Sequence, residues 1–192
     1  VVTTYTLLGG FRSVVLTDSV QGLLMCLGAV GILWAVLHRG GGLGPMVETL
    51  ESIDPRLVSW DGPTPLLVIL GIGLAGGLKL LVDPRQISRM YGLRDERALK
   101  TARIVAPILI TVTYFCLLPL GALARTIVSP EMAAKISADT DLVTPYLLGH
   151  SEILGPIASS FFLLVLLAAA MSSLDSVLLV TASAITRDLL LL

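Results

Sequence analysis

The stretch Phe161-Phe162-Leu163-Leu164-Val165-Leu166-Leu167-Ala168-Ala169-Ala170-Met171-Ser172-Ser173-Leu174-Asp175-Ser176-Val177-Leu178 decides the fold class. It lies within residues 153–185, where Asp175 is the only charged side chain. A bilayer's hydrocarbon core is crossed by about 20 apolar residues of helix. The apolar run is continuous and does not alternate, which favours a spanning helix over a barrel strand. On that helix Ser172, Asp175 and Ser176 are three and four residues apart and form one polar stripe. Ala169 lies one turn before Ser173 on an adjoining face. Hydroxyl, carbonyl and carboxylate oxygens are hard ligands suited to a cation such as sodium. Hydroxyls flanked by alanines also let a second helix approach closely. Helix geometry alone leaves packing and ion coordination both open.

Three more apolar runs are long enough to span, which predicts membrane crossings at 13–37, 64–82, 101–128 and 153–185. Residues Val1 to Leu8 read as the tail of an earlier span. The first full run contains one charge, Asp18, near Thr17 and Gln21, which share a helix face. An intramembrane carboxylate needs a partner or a purpose. For Asp18 the choices are water or Arg12 as a simple partner, or a cation or proton site. Gly71, Gly73, Gly76 and Gly77 permit a kink or close packing in the second run. Lys79 near its end is expected to snorkel to the interface.

Composition agrees. The 192 residues are 55% hydrophobic and 14% charged, with 13 Lys+Arg against 14 Asp+Glu. Soluble domains carry about 25% charged residues. This excludes an ordinary cytosolic enzyme, a disordered segment and a polyanion binder. Aromatic residues at 5% are too few for base-stacking platforms, so no nucleic-acid partner is expected. Cys26 and Cys116 lie in apolar runs and lack metal-ligand spacing. There is no HExxH, GxSxG or Cys-His pair, so an enzyme is not expected. The opening Val1-Val2-Thr3-Thr4 and the closing run of leucines after Asp188 read as cuts within a longer membrane protein.

The loops set an expected orientation. Residues 83–100 carry Arg85, Arg89, Arg94, Arg97 and Lys100, whereas 38–63 and 129–152 are mainly acidic. Short basic loops stay cytoplasmic, so the order is inside at Arg12, outside after Leu37, inside after Val82, outside after Val128 and inside at Arg187. Ser129-Pro130-Glu131 predicts a short surface helix to about Ile136, and Asp139-Thr140-Asp141 predicts a second running to Leu148. Trp34 and Trp60 fit the outer interfacial belt. His38 and His150, at or just past helix ends, suggest no metal site.

Four segments together resemble the sodium:solute symporter family. They are Tyr5-Thr6-Leu7-Leu8-Gly9-Gly10-Phe11-Arg12-Ser13, Thr17-Asp18-Ser19-Val20-Gln21, Pro84-Arg85-Gln86-Ile87-Ser88-Arg89-Met90, and Ala169-Ala170-Met171-Ser172-Ser173-Leu174-Asp175-Ser176. They occur in the family's order across nearly the whole chain, and they lean toward its proline/pantothenate-like branch. The resemblance implies an all-α integral membrane protein with the inverted-repeat fold of leucine-type transporters, ten core helices in two halves. Residues 1–192 would be a partial transporter core, from the end of core helix four through core helix eight: four full transmembrane helices plus the end of a fifth.

It also implies a site. Ala169 would offer a backbone carbonyl, and Ser172 and Ser173 hydroxyls, to a main sodium ion completed by a core helix outside this chain. Asp18, with Ser172, Asp175 and Ser176, would form a second sodium site, or a proton-coupled variant, since neighbouring carboxylates raise each other's pKa. The implied function is sodium-coupled secondary active symport of a small organic solute by alternating access, with sodium co-transported. The implied setting is a multi-pass protein in the lipid bilayer of the cell membrane, the bacterial inner membrane. The alternative is a symporter-fold sensory or regulatory module without net transport.

Overall fold

A computed structural model describes residues 2–59, 62, 64–149 and 154–190. Among them every regular element is helical. The α-helices are α1 (Val2–Arg39), α2 (Leu43–Ile53), α3 (Leu66–Val82), α4 (Pro84–Tyr91), α5 (Glu96–Leu117), α6 (Leu120–Ile127), α7 (Pro130–Ala138), α8 (Val143–Gly149) and α9 (Pro156–Ile185). Short 3-10 turns lie at Pro55–Leu57 and Thr140–Leu142, and a π turn, Thr186–Leu190, extends α9.

α1 is broken at Gly10, with φ 55° and ψ −149°. That region of backbone space is essentially confined to glycine, so the residue type produces the break. Residues 2–9 are thus a separate helical segment. At its other end α1 stops in a Schellman motif: Gly42 N donates to Leu37 O at 2.8 Å and Gly41, at φ 77°, to His38 O.

α3 ends because Pro84 disfavours helical backbone at the residue before it. Asp83 is extended there and caps α4, accepting from Arg85 N at 3.0 Å. The Arg85 guanidinium adds two bonds, Nε to Oδ1 at 3.0 Å and Nη2 to Oδ2 at 2.6 Å. This side-chain pairing, then the backbone N–H, and a smaller pull from Lys79, hold the Asp83 carboxyl down at about 2. The chain turns by 52° between α3 and α4. α5 is capped by Asp95, whose Oδ1 accepts from Ala98 N at 2.7 Å.

Three helical stretches are long and apolar enough to cross a membrane: Gly9–Arg39, Glu96–Ile127 and Pro156–Asp188. A fourth exists if α3 and α4 are one bent span. Alone, α3 has 17 residues, every one exposed. Its four glycines neither kink it nor pack closely among the described residues, where a Cβ at each would meet open space. The bend falls instead at Asp83. The run expected at 101–128 falls within the spanning stretch Glu96–Ile127, which is made of α5 and α6 joined at Leu118 and Pro119.

α1 and α9 make the most extensive contact between helices. At Gly28 a Cβ would lie 2.8 Å from a Val165 methyl, so the missing side chain lets the helices meet. The apolar core gathers at the far end of this pair. Ile32 and Val36 of α1, Met46 and Leu50 of α2, Leu120 and Leu123 of α6, Leu148 of α8 and Phe162 of α9 form one buried cluster. The loop helices expected after Ser129 and Asp139 exist as α7 and α8. α2 was not expected from the sequence. Trp34 is exposed beside the His38 ring, with centroids 5.5 Å apart. Trp60 and His150 lie outside the described residues.

Candidate cation site between the longest helices

At the opposite end of the α1–α9 pair the contacts are polar. Asp18 faces α9, and its carboxylate is only 14% exposed. Ser172 Oγ donates to Asp18 Oδ1 at 2.6 Å. Arg89 of α4 donates from Nη2 to Asp18 Oδ2 at 2.7 Å, and from the same nitrogen to Ser176 Oγ. Ser176 Oγ in turn donates to the Ser172 carbonyl at 3.0 Å. The result is a closed hydrogen-bonded ring that joins α1, α4 and α9 around one partly buried charge pair.

The partner of Asp18 is therefore Arg89, not Arg12. An arginine stays charged in any environment, and a carboxylate among apolar helices is tolerated when paired and hydrogen-bonded. Arg89 reaches the site because the bend at Asp83 swings α4 beneath α1 and α9. A side chain at Gly92, just past α4, would collide with the Phe11 ring. The glycine lets α4 close against the break in α1.

The other expected site residues divide by position. Ser173 is exposed and lines a cavity of about 430 Å³ together with Ser172, Ser176, Lys79 and Arg89. Ala169 is half-buried one turn earlier on the continuous helix. Its carbonyl keeps a second lone pair beyond the one used in the helix. Asp175 is fully buried and accepts a hydrogen bond from Thr6 Oγ1 at 3.3 Å. Asp18, Ser172 and Ser176 are thus brought together directly, while Asp175 bonds to Thr6 on the far side of the Gly10 break. Thr17 Oγ1 turns back onto the Ser13 and Val14 carbonyls. Gln21, one turn from Asp18, has a buried Oε1 without a hydrogen-bond partner among the described residues.

Sequence reasoning missed Arg89 and Thr6. Arg89 carried one usable signal. Arg85 and Arg89 are four apart on a short helix, and once Asp83 caps that helix and holds Arg85, the next turn is left to reach an acid elsewhere. Thr6 carried none beyond being a hydroxyl in an apolar run.

The family model described as "Sodium:solute symporter family" matches residues 1–191. The chain belongs to this family. It is 33% identical over 196 residues to the "Sodium/pantothenate symporter" of Escherichia coli (strain K12), covering 97% of this chain and 38% of that protein. It is 31% identical over 192 residues to the "Osmoregulated proline transporter OpuE" of Bacillus subtilis (strain 168), covering 98% of this chain and 37% of that protein. The chain therefore spans somewhat over a third of the length of these relatives. No solved structure gives a significant match. The family resemblance read from the four motifs is thereby established, and the apolar helices suit a multi-pass membrane protein of that family.

Proposed function

We propose that the full-length protein carries out sodium-coupled symport of a small organic solute by alternating access, within the leucine-type inverted-repeat fold. Proline and pantothenate are the first solutes to test, because relatives carry those names. One observation supports this above the others. Ser172 of the α9 hydroxyl stripe donates to the Asp18 carboxylate, and Ser172, Ser173 and Ser176 line one polar cavity, which supports oxygens gathered where an ion could bind.

In this reading Ala169, Ser172 and Ser173 bind the main sodium ion together with a helix outside this chain. Asp18, Asp175 and Ser176 belong to the second cation site. Sodium bridges elements that move relative to one another, favours the outward-facing state and so raises solute affinity. The membrane potential contributes about 2.3 kcal/mol per charge per 100 mV.

The test is uptake of radiolabelled proline and pantothenate into membrane vesicles containing the full-length protein. An inward sodium gradient should drive accumulation of at least one, and replacing sodium by choline should abolish it. Accumulation indifferent to sodium would refute the proposal.

A further inference from the structure

The Asp18 cluster already holds a cation, and that cation is a side chain. We propose that Arg89 is a tethered competitor of the transported ion: it occupies the Asp18–Ser172–Ser176 oxygens when sodium is absent and withdraws when sodium enters. The inference rests on the symport reading and adds to it the group that exchanges with the ion.

Three observations converge. First, the oxygens that contact Arg89 are a carboxylate and a hydroxyl, with a second hydroxyl on the other carboxylate oxygen, which is a hard-cation ligand set. Second, Arg89 uses the very oxygens an ion would need. Its Nη2 donates to both Asp18 Oδ2 and Ser176 Oγ, so a cation coordinated by those two oxygens has to displace it. Third, Arg89 is a shared wall residue: it lines the 430 Å³ space containing Ser172 and Ser173, and also a space of about 610 Å³ lined by Phe11, Arg12, Asp18 and Ser19. Displacement of its side chain therefore changes the lining of both spaces.

Arg89 is well placed to move. It sits in the last turn of an eight-residue helix, anchored at its other end by Asp83. When sodium leaves Asp18, the arginine returns, neutralises the carboxylate and prevents the ion from rebinding.

The experiment measures equilibrium binding of radiolabelled sodium to the purified full-length protein. Arg89→Ala should lower the half-saturating sodium concentration by about fivefold or more, the range of an ordinary coupling between sites. Adding millimolar guanidinium to Arg89→Ala should raise it back toward the parent value, because the free ion replaces the missing side chain. Arg89→Lys should stay near the parent.

A second measurement leaves Arg89 untouched. Ser88 lines a space against Phe11 and Leu179, so a cysteine at Ser88→Cys should react faster with a maleimide in sodium than in choline as α4 is released. Sodium affinity unchanged or weakened in Arg89→Ala, with no effect of guanidinium, overturns the exchange. So does a Ser88→Cys reaction rate that sodium leaves unchanged or slows. In either case sodium binding by the parent keeps the symport reading standing, whereas a parent that binds no sodium defeats both.

Discussion

Ser172 and Ser173 are adjacent in sequence and face different tasks. Ser172 Oγ spends its proton on Asp18, while Ser173 is exposed to the serine-lined cavity. Removing each hydroxyl should therefore separate binding from stability. Ser173→Ala should weaken sodium binding to the full-length protein and leave its thermal unfolding in detergent unchanged. Ser172→Ala should weaken sodium binding and also lower the unfolding temperature, since Asp18 Oδ1 loses a buried donor, worth roughly 1–3 kcal/mol. Equal unfolding behaviour of the two variants would show that the Asp18–Ser172 bond carries no stability. The stripe of α9 oxygens was legible because side chains three and four apart must share a helix face. The pairing of Asp18 with Arg89 was not, because 71 residues separate them and only the turn at Asp83 brings them together.

Among the elements, the α1–α9 pair owes its closeness to a residue with no side chain. Gly28 admits both methyls of Val165, which would stand 2.8 and 2.9 Å from a Cβ at that position. Gly28→Leu should separate the helices. Overpacking of this kind costs roughly 1–3 kcal/mol, more than the helix propensity of roughly 1 kcal/mol that replacing a glycine returns. Detergent-solubilised Gly28→Leu should unfold several degrees below the parent, and Val165→Ala in the same chain should recover part of the loss. No recovery would mean the strain lies elsewhere. The span read at 101–128 lies within the one spanning stretch Glu96–Ile127, which Leu118 and Pro119 divide into α5 and α6. Hydropathy does not register that division, because it is blind to a missing N–H. α2 was missed for a related reason. Its loop was weighed by charge alone, although Met46 and Leu50 stand one turn apart and are the residues it buries.

Across the whole molecule the two ends of the α1–α9 pair are held by different forces. The end with α2, α6 and α8 is an apolar cluster in which Val36 and Met46 are almost completely buried. The end with α4 is held by one ion pair, a ring of hydroxyls and the contact of Phe11 with Gly92. Non-directional apolar burial persists through small displacements, whereas a charge-paired ring is lost as soon as its cation is replaced. Regions with few buried apolar contacts open at lower free energy. Hydrogen exchange of the full-length protein should therefore be asymmetric. Adding sodium should accelerate exchange in Pro84–Tyr91 and around the Gly10 break, where α4 is freed from Asp18. The amides of Leu43–Ile53, with Met46 and Leu50 buried in the apolar cluster, should be unaffected by the same addition. Equal changes at both ends would mean the α1–α9 pair moves without regard to the cation at Asp18. Protection rising in α4 on adding sodium would mean that the ion tightens this junction instead of releasing it.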